Sequence, residues 1–134
     1  MAQSESTFSV FVGIDWGSEL HQVCVMDSTR RVLLEKAFAH SRKGLGELVE
    51  AILKVTGEGT ERVAVAIEVP RGPIVDTLLE KDIAVFAVNP KQLDRFRDRH
   101  TVAGAKDDRR DALVLADSLR TDKHAFRKRS PRRS

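Results

Sequence analysis

The run Val63-Ala64-Val65-Ala66-Ile67-Glu68-Val69 constrains this chain more than any other stretch. It is apolar at every position except Glu68 and shows no polar alternation. Gly57 and Gly59 precede it, and Pro70 and Gly72 follow it. A strand with one wet face would alternate, so a run of this kind reads as a strand covered on both faces, inside an α/β sheet.

The neighbouring patterns agree. Ser9–Asp15 and Leu20–Asp27 are two apolar runs separated by Trp16-Gly17-Ser18-Glu19, and Arg30–Ala39 alternates weakly. Connections this short predict an antiparallel meander of three strands. Ser41 can cap a helix whose face carries Leu45, Leu48, Val49, Ile52 and Leu53, stopped by Gly57 and Gly59. After the buried run, Pro73 suits a first helical turn, with Ile74, Val75, Leu78 and Leu79 on one face. Ile83–Val88 predicts a fifth strand. Asn89-Pro90 starts a helix bearing Leu93 and Phe96, His100–Ala105 reads as a loop, and Lys106 to about Arg120 reads as a last helix. The order predicts a mixed five-stranded sheet flanked by helices, with right-handed crossovers later in the chain. The 134 residues suffice for one such domain and not comfortably for two.

Charge divides the chain. Arg120–Ser134 holds seven basic residues and one acid, while the rest holds sixteen basic and nineteen acidic residues. The expected organisation is a polar N-terminus over 1–8, a domain over 9–121 and a basic tail over 122–134. In that tail Arg127, Lys128, Arg129, Arg132 and Arg133 are candidates for a polyanionic partner. A lone cysteine, Cys24, excludes an internal disulfide and a cysteine-built zinc site. No apolar run could span a bilayer and no leader peptide is visible at the N-terminus, so a cytoplasmic protein without a membrane partner is expected.

Four carboxylates stand in informative places. Asp15 ends the first strand and Glu68 the fourth. Ligand sites in α/β sheets gather at such strand ends, and parallel pairing of these two strands would point both side chains into one pocket. On the last helix Asp108 and Asp111 share a face that continues into Leu115 and Leu119. Spacing leaves Asp107 with Asp111 as a rival pair. Carboxylates crowded together need protons or a cation, and hard oxygen donors suit Mg²⁺ or Mn²⁺. The chemistry this points to is metal-dependent phosphoryl transfer on a nucleic acid. Each acid also has an ordinary explanation: a strand end, a turn cap, or a first helical turn complementing the helix dipole. Trp16 and Cys24 read more simply as packing residues, and His21 as a turn or surface residue, than as members of the pocket.

Together the segments VGIDWGSELHQVCVMD, VAIEVPRG, VNPKQLDRF and AKDDRRDALVLADSLR resemble the N-terminal domain of the DEDD family of insertion-sequence transposases. The resemblance runs from about Val10 to Phe126. It implies an RNase H-like fold related to the Holliday-junction resolvase RuvC. It also implies a catalytic, metal-binding set of Asp15, Glu68, Asp108 and Asp111, choosing Asp108 over Asp107. The family pattern Lys-Thr-Asp-x-x-Asp-Ala stands here as Lys106-Asp107-Asp108-Arg109-Arg110-Asp111-Ala112, with Asp107 in place of threonine. Family members continue through a coiled coil into a second domain with a nucleophilic serine. The resemblance therefore implies a composite site in which this part is incomplete by itself. DNA, a structured guide RNA encoded by the element, and a homo-oligomer of the full-length protein are the implied partners, in a bacterial cytoplasm with nucleoid association during action.

Two other classes fit parts of the sequence. Gly13-Ile14-Asp15-Trp16-Gly17-Ser18 matches the first phosphate loop of actin- and sugar-kinase-like ATP-binding domains, which need a second domain and loop. A non-catalytic nucleic-acid-binding module would need only the basic tail with Arg95, Arg97 and Arg99. A resolvase proper would require a symmetric dimer.

Overall fold

The computed structural model describes residues 8–57, 60–68, 72–88, 91, 95, 108–121 and 126–129. Within them β1 is Val10–Trp16, β2 Leu20–Asp27 and β3 Val32–Ala39, followed by α1, Arg42–Thr56. A single 3-10 turn, Thr60–Arg62, leads into β4, Val63–Ile67. Then come α2, Pro73–Glu80, β5, Ala84–Ala87, α3, Asp108–Thr121, and β6, Arg127–Arg129. The sheet order is β3-β2-β1-β4-β5-β6. β1, β2 and β3 form the antiparallel meander, whereas β1–β4 and β4–β5 are parallel. These are the five strands read from the sequence. The sixth is a difference: Arg127, Lys128 and Arg129 pair antiparallel with Ala87, Phe86 and Val85. No hydrophobic pattern marks that strand, so its assignment comes from a neighbour's free edge. The helix expected after Asn89-Pro90 lies largely outside the described residues.

Local chemistry explains the element ends. The Gly44 N–H donates to the Ser41 hydroxyl at 2.9 Å, capping α1, a bond worth about 1 kcal/mol. Gly57 closes the helix at φ 78°, with its N–H donating to the Leu53 carbonyl at 3.1 Å. In the β2–β3 turn, Asp27 accepts from the Thr29 hydroxyl at 2.7 Å and from the Thr29 and Arg31 N–H groups at 2.9 Å each. Those bonds, the Thr29 hydroxyl foremost, hold the Asp27 carboxyl below the usual range.

Strand alternation sorts the core into two clusters. Val12, Ile14, Val23, Val25, Val63, Val65 and Ile67 face α1 and α2. Phe11, Cys24, Met26, Ala64 and Ala66 face α3, through Ala112, Leu115, Ala116 and Leu119. β4 is buried at all five positions, as its unalternating sequence requires. Each fully buried valine or isoleucine contributes roughly 1.5–3 kcal/mol.

Candidate active site at the end of the sheet

The parallel register of β1 and β4 ends with Ile14 opposite Ile67. Asp15 is the next residue of β1 and Glu68 the first residue after β4, so the register brings both to the same end of the sheet. Alternation puts Asp15 on the α3 face, after Phe11 and Gly13, and Glu68 directly follows the strand whose Ala64 and Ala66 face α3. Both are half-buried.

Gly13 is what brings α3 to that place. A Cβ built there would lie 2.0 Å from the Ala112 carbonyl oxygen, 2.6 Å from the Ala116 nitrogen and 2.9 Å from Leu115 Cβ. The helix backbone therefore rests directly on the strand backbone, two residues before Asp15. A glycine inside a strand is a signal for close approach, and the sequence reading did not draw it. Asp111 precedes Ala112 and is 6% exposed. It is thus carried to the same end of the sheet as Asp15 and Glu68. The fourth acid, Asp108, lies one turn earlier in α3; its side chain lies outside the described residues, as does all of Asp107.

The other end of α3 fixes the helix direction. Asp117, nearly buried, accepts Arg30 Nε at 3.0 Å on one oxygen, and Arg120 Nη2 at 2.8 Å and Nε at 3.0 Å on the other. Arg120 Nη1 also reaches the Ser28 carbonyl at 3.4 Å. This clamp ties the C-terminal half of α3 to the β2–β3 turn, at the opposite end of β1 from Asp15. The N-terminal half of α3, with its positive dipole end, faces the strand ends that carry the acids, the favourable sense for carboxylates. The charge spacing of Asp117 and Arg120 is visible in sequence, but Arg30 joins them across 87 residues.

The remaining residues sort by face. Trp16 and His21 lie on the other side of the sheet from Asp15, among the residues facing α1. His21 is fully buried, which differs from the turn or surface placement expected for it. Its ring stacks on Trp16 with centroids 3.5 Å apart and planes 13° apart. The Gly17 N–H donates to His21 Nδ1 at 3.1 Å. The neutral ring therefore carries its proton on Nε2, which donates to His40 Nδ1 at 2.9 Å. Burial, and then the neighbouring His40, push the His21 pKa below its ordinary value. Because the Gly17 N–H is already committed to His21, it is not free to cradle a phosphate, as the ATP-binding reading of Gly13–Ser18 would need. Cys24 is buried, and desolvation, followed by Glu35 and Asp117, pushes its thiol up to about 12. It is a packing residue, as read from the sequence. Arg127, Lys128 and Arg129 lie in β6 with side chains outside the described residues, where Arg132 and Arg133 also fall.

Among the described residues, no three His, Cys, Asp or Glu side chains stand together closely enough to hold a metal ion. What they build is a set of carboxylates converging on one sheet end. The donor set is uniform, hard oxygen throughout, and is the type that Mg²⁺ and Mn²⁺ take.

The transposase family model of DEDD, IS110 type, matches residues 12–134. The chain belongs to the DEDD transposase family. Over 119 residues it is 51% identical to a Sinorhizobium fredii protein named as transposase y4uE, covering 87% of this chain and 33% of that relative. Over 123 residues it is 38% identical to a Streptomyces coelicolor protein named as the mini-circle transposase for IS117, covering 92% of this chain and 30% of the relative. The chain thus spans about a third of the length of these transposases. Among solved structures it is similar to Thermus thermophilus RuvC, with TM-score 0.59, 17% identity, and coverage of 90% of this chain and 99% of RuvC. A second RuvC structure, in complex with a Holliday junction substrate, gives TM-score 0.56 at 17% identity and the same coverage. The fold of this transposase domain is therefore the RNase H-like fold of RuvC. Among its described residues no helix is long and apolar enough to cross a membrane.

Proposed function

We propose that this domain supplies the carboxylate half of the DNA phosphoryl-transfer site of a DEDD transposase, acting in DNA transposition. The observation that carries the reading is the convergence of acids from distant parts of the chain. Asp15 and Glu68 adjoin through the β1–β4 register, and the contact of Gly13 with Ala112 carries Asp111 to the same end. In this reading Asp15, Glu68, Asp108 and Asp111 hold one or two Mg²⁺ or Mn²⁺ ions. The chemistry such an ion supplies is polarisation of a scissile phosphate and neutralisation of charge at the attacking and leaving oxygens. The chain's own part is to bring the carboxylates to one end of the sheet, where a cation would draw their side chains together.

Domain 9–121 is the part that carries this site. In this reading the basic residues Arg127, Lys128, Arg129, Arg132 and Arg133 contribute to holding DNA phosphates, by their charge. A solved relative of the same fold is a complex with a DNA junction, which supports DNA as the partner. By family resemblance, the nucleophilic serine belongs to the part of the transposase relatives that this chain does not span, a structured guide RNA selects the DNA, and full-length family members assemble as homo-oligomers in the bacterial cytoplasm. The chain by itself then binds metal without completing strand transfer.

The test is the thermal midpoint with and without Mn²⁺ for the wild type, Asp15→Asn and Asp111→Asn. At a hundredfold excess over Kd, metal raises the wild-type midpoint by roughly 5–10 °C. Both variants lose that rise. Equal rises in all three proteins would replace this reading with that of a non-catalytic nucleic-acid-binding module.

A further inference from the structure

Asp15 stands two residues before the tight β1–β2 turn, and the turn's shape has an identifiable support on the opposite face of the sheet. Trp16 and His21 are partners in the β1–β2 ladder, and their rings stack at 3.5 Å. His40, just past the end of β3, stands edge-on to both, with centroids 5.8 Å from Trp16 and 5.0 Å from His21. The His40 N–H donates to the Glu19 carbonyl at 2.9 Å, which ties the same turn to β3. A buried imidazole costs stability unless its nitrogens are bonded. Both nitrogens of His21 are bonded, one to the turn backbone and one to His40. Packing alone would be served by a phenyl ring or an aliphatic side chain, neither of which needs such bonds.

We propose that His21 is a positioning residue for the carboxylate site: its Nδ1, by accepting the Gly17 N–H, sets the backbone that aims Asp15. The inference rests on the metal-site reading above and extends it to a residue on the far face of the sheet. Loss of a bond that orients a ligand typically costs ten- to a hundredfold in metal affinity.

Three substitutions separate positioning from packing. His21→Phe keeps a ring against Trp16 and removes both bonds. His21→Asn places an amide oxygen where Nδ1 accepts and removes the ring. His21→Gln reaches toward His40 without replacing Nδ1. Mn²⁺ affinity of the 134-residue chain is read by titrating free Mn²⁺ with electron paramagnetic resonance. Trp16 is the sole tryptophan, so its emission reports the stack directly. His21→Phe should bind Mn²⁺ about tenfold more weakly while Trp16 emission stays near that of the wild type. His21→Asn should bind within about threefold of the wild type despite altered emission, and His21→Gln should resemble His21→Phe. If His21→Phe does not fold, the contrast of His21→Asn with His21→Gln carries the test. Wild-type affinity in His21→Phe or His21→Gln overturns the proposal, as does an affinity that simply follows the thermal midpoint across the series. If the wild type itself shows no Asp15-dependent Mn²⁺ binding, the metal-site reading falls and this proposal with it.

Discussion

The two faces of the sheet are built from the same strands but to different rules. Toward α1 and α2 the central strands present Val12, Ile14, Val63, Val65 and Ile67. Toward α3 the intervening positions are Gly13, Ala64 and Ala66, met by Ala112 and Ala116. Large branched side chains hold a helix at a distance and supply most of the buried apolar area. Small residues let backbone meet backbone, which leaves a helix little freedom to slide. The acids belong to the second face, where placement matters more than area. The first face stabilises the domain, and the second locates its carboxylates.

Gly13→Ala strikes the close-contact face hardest. Its new methyl would lie 2.0 Å from a backbone oxygen of α3, so the helix must shift. A loss of about 3 kcal/mol or more is expected in urea unfolding, together with loss of the Asp111-dependent response to Mn²⁺. Val65→Ala, on the large-residue face, leaves a cavity and should cost about 2–3 kcal/mol. Its Mn²⁺ affinity should stay at the wild-type level, because α3 does not rest on that side chain. If both variants lost affinity in proportion to stability, the division of labour between the faces would be wrong.

The smallest expected effect is a pH term on the large-residue face. Burial, then His40, lower the His21 pKa from 6.5 in the folded chain. As pH falls through about 6.5 the unfolded chain takes up a proton that folded His21 still refuses. The stabilisation is complete above that pH and is lost between it and the lower folded-state value. The thermal midpoint should therefore drop from about pH 7.5 to about pH 5.5, and by less in His21→Phe. An equal drop in both proteins would show that other groups account for it.

The strand runs, the cap at Ser41, the stop at Gly57 and the covered character of β4 were all legible, because each depends on residues near in sequence. Placing Asp15 and Glu68 at adjoining strand ends required one further assumption, parallel pairing of β1 and β4, and the register bears it out. His21 was misplaced because a polar residue at a strand start usually faces water. Its burial depends on Trp16 and His40, which meet it only through the meander. β6 was missed because Arg127-Lys128-Arg129 has no apolar signal, and only the free edge of β5 makes it a strand. The clamp on Asp117 was half visible: the i,i+3 partner Arg120 is local, whereas Arg30 is not.

Local pattern was enough to place β1 to β5 with α1, α2 and α3 in order, to give β4 its two-faced burial, and to show which acids end strands or share a helical turn. These follow from periodicity and turn chemistry, which act over a few residues. Only the packing of distant segments shows that α3 presses on β1 at Gly13, that Asp111 is thereby carried to the sheet end of Asp15 and Glu68, and that His21 accepts the Gly17 N–H of the turn beside them. Those outcomes depend on backbones separated by up to about a hundred residues meeting at van der Waals distance, a condition that no local pattern encodes.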